Sequence, residues 1–110
     1  MATTTSERAI LIDGEWVETG DWIEVRSPYD RSLVGRVAKA GAGETSRALD
    51  AAERAMATPL PAHERAEILD RVAQLLAGRA DEAAQTISSE AGKPLKAARV
   101  EVSRAVSTYT

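Results

Sequence analysis

The spacing of apolar positions changes period once along the chain, near residue 44. Before that point apolar and polar residues alternate in short runs. Ala9 to Ile12 and Glu15 to Val17 flank Asp13-Gly14, a pair that favours a type I′ hairpin because both central residues of that turn need positive φ. Thr19-Gly20-Asp21 predicts a second turn, and Trp22-Ile23-Glu24-Val25-Arg26 alternates as a half-buried strand does. Ser27-Pro28-Tyr29-Asp30 breaks that strand, since proline restricts the residue before it and removes a ladder donor. Leu33 to Ala38 reads as a further strand. Residues 9–38 are thus expected to form a small antiparallel β unit, with too few strands to be stable alone.

From Glu44 the period becomes helical. Ala48, Leu49, Ala52, Ala55 and Met56 share one face, which ends before Pro59. Pro61 can open a second helix, whose stripe is Ile68, Leu69, Val72, Leu75 and Leu76. Asp50–Arg54 and Glu67–Arg71 are spaced four apart in the favourable order for ion pairs. Gly78 weakens the end of that helix, and Asp81 is a candidate N-cap for a third, in which Ala84, Ile87 and Ala91 align. Glu90-Ala91-Gly92-Lys93-Pro94 then ends one helix and starts another. Gly92 accepts the left-handed backbone of a helix stop, and Pro94 has φ preset for a first turn. In the last helix Leu95, Ala98, Val102, Ala105, Val106 and Tyr109 stay in phase up to Thr110, with no closing glycine, proline or basic residue. The pattern predicts about four helices over 44–110 and a C-terminal truncation.

Composition narrows the picture. Of the 110 residues 44% are apolar, but 21 are alanine and none is phenylalanine. Alanine favours helix and buries little area, so the chain has few large side chains for a core of its own and is expected to pack against more protein. The net charge of −3, with both signs interspersed, argues against nucleic acid or an anionic membrane surface as partner. Cysteine is absent, which removes disulfides, thiolate nucleophiles and Cys metal sites from consideration. Met1 to Arg8 is polar and Thr-rich, expected as a disordered tail, and Ile10-Leu11-Ile12 is too short for a signal core or a membrane span. The default compartment is the cytosol.

Candidate chemistry is sparse. Gly41-Ala42-Gly43 lies between a strand and a helix, where a phosphate-cradling turn would sit, but the third glycine of that fingerprint would fall at Ser46. An ordinary strand-to-helix loop is the better reading. His63 is the one histidine, in the first turn of a charged helix, and reads as a surface residue. Glu90 and Lys93 are spaced for an ion pair across a helix end, a structural role rather than an acid/base one. Trp16 and Trp22 could stack on a ligand, but in adjacent strands they are expected to meet across the strands or in a core. No catalytic, cofactor-binding or metal residue is assigned.

Six pieces of the chain, in order, nevertheless carry a family likeness. Ile12-Asp13-Gly14-Glu15-Trp16-Val17, Val25-Arg26-Ser27-Pro28-Tyr29-Asp30, Leu33-Val34-Gly35-Arg36-Val37-Ala38, Arg47-Ala48-Leu49-Asp50-Ala51-Ala52, His63-Glu64-Arg65-Ala66-Glu67-Ile68-Leu69, and Glu90-Ala91-Gly92-Lys93-Pro94 followed by Glu101-Val102 resemble the N-terminal segment of the aldehyde dehydrogenase superfamily. The second resembles its V-x-N-P-x-(D/T)-G turn, with Ser27 where Asn is common and Arg31 where Gly is common. The last resembles its E-x-G-K-P…E-V run. The resemblance implies an α/β fold, with residues 9–110 a partial N-terminal cofactor-binding domain of Rossmann-like type. It implies an enzyme that oxidises an aldehyde to an acid with NAD or NADP, using a cysteine nucleophile, a glutamate-activated water and an oxyanion site. All of those groups lie downstream of this segment in the family, so the chain is expected to be inert alone. The implied partners are the remainder of the enzyme chain, a small aldehyde and further copies in a homo-oligomer. Within the family the likeness leans toward members acting on lactaldehyde or glyceraldehyde 3-phosphate. A free-standing helical interaction module is the competing expectation, and a small standalone enzyme a poorer one for want of a nucleophile or ligand set.

Overall fold

The computed structural model describes residues 6–110. Five strands precede four helices: β1 (Ser6–Arg8), β2 (Ile10–Ile12), β3 (Glu15–Val17), β4 (Trp22–Arg26), β5 (Leu33–Ala38), α1 (Ala42–Met56), α2 (Ala62–Gly78), α3 (Ala80–Ala91) and α4 (Leu95–Tyr109). The chain divides into two compact units. One runs to Arg26 and resumes from Arg31 to Pro59; the other takes Ser27–Asp30 and Leu60–Thr110.

In the first unit β2 and β3 form an antiparallel hairpin, with Leu11 opposite Trp16. Its turn is Asp13-Gly14, with φ of 53° and 78°, as a type I′ turn demands. A separate three-stranded sheet has the order β1-β5-β4. There β4 and β5 are antiparallel with a register shift between Val25 and Arg26. The Thr19 hydroxyl ties the turn before β4 to this sheet, donating to the carbonyl of Lys39 at 2.7 Å. The antiparallel pairs expected within 9–38 are thus both present.

β1 pairs in parallel with β5, Ser6 beside Gly35 and Arg8 beside Val37. Ser6, Glu7 and Arg8 were expected in a disordered tail and are instead part of a ladder; the other five residues of that tail lie outside those described. A Cβ on Gly35 would stand 2.8 Å from the Ser6 carbonyl oxygen, so glycine is what lets the strands approach. Glu7 and Arg36 pair at 2.7 Å through the guanidinium Nε, and the Arg36 guanidinium lies 5.1 Å from the centre of the Trp22 ring.

In the second unit α3 and α4 meet around Ala84, Ala98 and Val102, with Leu76, Ala80, Ala83, Ile87 and Leu95 partly buried against them. Gly92 ends α3 with φ 66°, the left-handed stop that the sequence calls for, and Pro94 immediately precedes the first turn of α4. Pro28 lies over Gly92, 3.3 Å from where a Cβ would project. Asp81 is not the N-cap of α3. Arg79 holds that place without a side-chain cap, and Asp81 sits in the first turn, accepting from Arg99 Nε at 3.3 Å, where its charge still suits the helix dipole.

Candidate functional site

Each residue with candidate chemistry has a defined place. Gly41 caps α1 from an extended backbone. Its N–H donates to the Glu44 carboxylate at 2.8 Å, and its carbonyl accepts from the Thr45 hydroxyl at 2.9 Å. The Gly41 N–H, with Glu44's own amide, holds the Glu44 carboxyl below the ordinary glutamate value. A carboxylate already serves this helix N-terminus, and its negative charge opposes a phosphate there. The turn is a strand-to-helix loop between β5 and α1, closed by that carboxylate.

His63 is exposed in a shallow surface depression with Glu64, Glu67, Ile68, Arg71 and Val72. Lys93 pairs not with Glu90 but with Glu101. The αL turn at Gly92 swings the lysine onto the first turns of α4, where a glutamate eight residues on is within reach. Arg54 pairs not with Asp50 but with Asp13 at 3.0 Å, because the hairpin turn stands beside α1. The tryptophans do not meet across strands, since β3 and β4 belong to different sheets. Trp16 is 70% exposed, and Trp22 packs on Arg36.

Among the described residues, no group of three or more His, Asp and Glu could hold a metal ion. A further concavity of about 620 Å³ along the start of α4 is lined by Lys93, Pro94, Ala97, Val100, Glu101 and Arg104, and two more stand out. Ile12, Asp13, Glu15, Arg47, Asp50 and Arg54 line a polar cleft of about 230 Å³, within which Arg54 pairs with Asp13. Val72, Leu75, Leu76, Ala83, Thr86 and Ile87 line an apolar groove of about 520 Å³ between α2 and α3. On its rim Arg79 donates to Glu82 at 2.6 Å and 2.9 Å, which raises the guanidinium pKa above its usual value. None of these concavities joins a nucleophile, a base and an oxyanion donor. Sequence reasoning missed cleft and groove alike. The cleft joins residues of hairpin and helix far apart in the chain, and the groove needs the crossing of two helices.

What the arrangement offers is surface. The expected stripe of α1 is exposed along its whole length, with Leu49 at 67% and Met56 at 70%. In α2 the stripe Ile68, Leu69, Val72 and Leu75 is exposed as well, and Ala73 is the residue buried. No helix among the described residues is long and apolar enough to cross a membrane.

The family model described as the aldehyde dehydrogenase family matches residues 16–110. The chain is 42% identical over 101 residues to the NADP(+) succinate-semialdehyde dehydrogenase of Escherichia coli, covering 88% of this chain and 21% of that one. It is 32% identical over 102 residues to a lactaldehyde dehydrogenase of Methanocaldococcus jannaschii, covering 91% of this chain and 22% of the relative. Among solved structures, a mutant 1-pyrroline-5-carboxylate dehydrogenase of Thermus thermophilus superposes with a TM-score of 0.93 at 32% identity, over 96% of this chain and 21% of that one. The chain therefore spans about a fifth of the length of the relatives it matches, and its strands and four helices are those of their N-terminal region.

Proposed function

The chain belongs to the aldehyde dehydrogenase family, and we propose that it is the N-terminal portion of an enzyme that oxidises an aldehyde to a carboxylic acid with NAD or NADP, inert when separated from the rest. No residue of this portion is given a catalytic or cofactor-binding role. Its part is to cover and brace the cofactor domain of the complete enzyme, in the cytosol and as one copy of a homo-oligomer. Its partners are the remainder of the polypeptide and, through it, a small aldehyde. One observation carries this reading: the apolar stripes of α1 and α2 lie open to solvent, on a chain without the cysteine that the family's chemistry needs.

The test measures the native product and the isolated chain. Since 101 residues are 21% of the Escherichia coli relative, the natural polypeptide is expected at about 480 residues. The isolated chain is expected to bind an apolar dye, to melt broadly or self-associate, and to reduce no NAD(P) with aldehydes. A native product of this size that melts sharply and binds no dye would favour a free-standing helical module instead. Aldehyde-dependent NAD(P) reduction by the pure chain would overturn the claim of inertness.

A further inference from the structure

The chain has no asparagine, and of its six aspartates only Asp13 is followed by glycine. Glycine sets no side chain beside its own amide nitrogen, and nothing lies within 4 Å of where a Cβ of Gly14 would project. Both residues are exposed, so that nitrogen is open to the electrophile nearest in sequence, the Asp13 carboxyl carbon. The native turn keeps the two apart. As the mirror image of a type I turn it sets ψ of its first central residue at about +30°, which leaves the Asp13 Cβ roughly 150° from the Gly14 nitrogen about the Cα–C bond. A five-membered ring needs that angle near zero, so it closes only when the turn opens. The hairpin is poorly equipped to stay shut. Among the described residues β2 and β3 are three residues each and form a two-stranded sheet of their own, and such a sheet is marginal. A tie to the neighbouring helix is the ion pair from Arg54 to the Asp13 carboxylate, 3.0 Å long.

We propose that Asp13-Gly14 is a site of spontaneous backbone isomerisation, gated by opening of the hairpin and restrained by Arg54. The Gly14 nitrogen attacks Asp13 Cγ. The N–Cγ bond forms, a Cγ–O bond breaks, and the oxygen leaves as water with the amide proton and one proton from solvent. Water then opens the ring. Cleavage of the N–Cγ bond restores aspartate; cleavage of the bond from nitrogen to the former main-chain carbonyl leaves isoaspartate, in which the chain runs through Cβ and Cγ. No oxidation state changes, and solvent water is the one co-reactant. The product adds a carbon to the main chain of a two-residue turn and leaves its carboxylate directly on Cα, drawn back from Arg54. The pairing of Ile12 with Glu15 and the salt bridge from the hairpin to α1 are both lost. The inference is independent of the functional reading above, since it needs only this turn and its neighbour.

In the test the natural polypeptide is held for days at neutral pH in heavy-oxygen water and then cut with trypsin. Cleavage after Arg8 and Arg26 releases residues 9–26 in one piece. There isoaspartate shows as a peptide of unshifted sequence and altered retention, and electron-transfer fragmentation separates position 13 from Asp21. A synthetic peptide of residues 9–26 gives the rate without the fold. Position 13 of the folded protein is expected to take up one heavy oxygen per event, at about one-tenth of the peptide's rate. Arg54→Gln should raise the protein's rate about twofold to fivefold, as loss of an exposed ion pair does. Arg54→Lys keeps the cation and should stay near the parent, and both variants should keep the parent's helix content by circular dichroism. A folded protein without label at position 13, when the peptide has fully converted, would overturn the site. Isoaspartate confined to Asp21 would do the same. A rate equal to the free peptide's, or one indifferent to Arg54→Gln, would overturn the gate.

Discussion

α1 and α4 carry similar apolar stripes and use them in opposite ways. In α4 the stripe turns inward: Ala98 is 0% exposed and Val102 3%, against Ala84 of α3. In α1 every stripe position is exposed and the charged side is the one in contact. Periodicity reports that a helix has an apolar face; only the fold reports what covers it. The units around these helices differ accordingly. One is held by apolar contact between helices, the other by ladder bonds, turn chemistry and ion pairs.

The largest test of that difference is a carboxylate placed on each stripe. Val102→Asp should cost the helical unit about 3 kcal/mol or more, because the buried charge finds no partner. Leu49→Asp in the isolated chain should stay within about 0.5 kcal/mol, as exposed substitutions do. Urea melts followed by circular dichroism would show it, and equal losses would erase the distinction between the helices. Next comes the ladder. Gly35→Ala would drive a methyl to 2.8 Å from the Ser6 carbonyl, so β1 must detach or shift at about 1–3 kcal/mol. Exchange of the β1 and β5 amides should rise while those of α3 and α4 keep their protection.

Turn chemistry comes third. Arg31 holds φ at 63°, a left-handed conformation that costs a residue with a Cβ about 1 kcal/mol. Arg31→Gly should stabilise the strand unit by up to about that amount, less what the freer unfolded chain takes back. A lowered melting midpoint would show that the bond from Arg26 Nη1 to the Arg31 carbonyl depends on the native side chain. The smallest effect is the cap of α1. The Glu44 carboxyl titrates below the ordinary value of 4.5, so the folded state favours the charged form. Its contribution is complete above the unfolded pKa and is lost as pH falls below 4.5 through the folded value. Carboxyl titration by NMR should show the low value, and Glu44→Gln should remove that part of the acid dependence.

How much of this was legible depended on the range of the interaction. Asp13-Gly14, Gly92 and Pro94 declare themselves because a turn or a helix stop is decided by the φ of one or two residues. The α4 stripe was legible from its own period, as that of α1 was, while the cover that α3 gives it came only with the fold. Three strand residues from Ser6 to Arg8 have no room to display a period, and their pairing depends on a glycine 29 positions later. The partners of Lys93 and Arg54 escaped for a related reason. Spacing along a helix suggested Glu90 and Asp50, and tertiary geometry supplied Glu101 and Asp13. The tryptophans looked adjacent because their strands are consecutive, while the chain changes sheets between them. For the candidate site, the lack of cysteine was legible at once; the charge-lined cleft was not.

The parallel pairing of Glu7 with Arg36 spans 29 residues. At translation speeds of about 5 to 20 residues per second, the earlier strand emerges from the ribosome roughly 1.5 to 6 s before its partner does. For that interval its amides can bond only to water, while the Asp13-Gly14 hairpin, which needs no distant residue, can already close. The birth order of this region is therefore hairpin first and three-stranded sheet second, and a pause in translation after β1 has emerged and before β5 does would lengthen the wait without altering the final ladder.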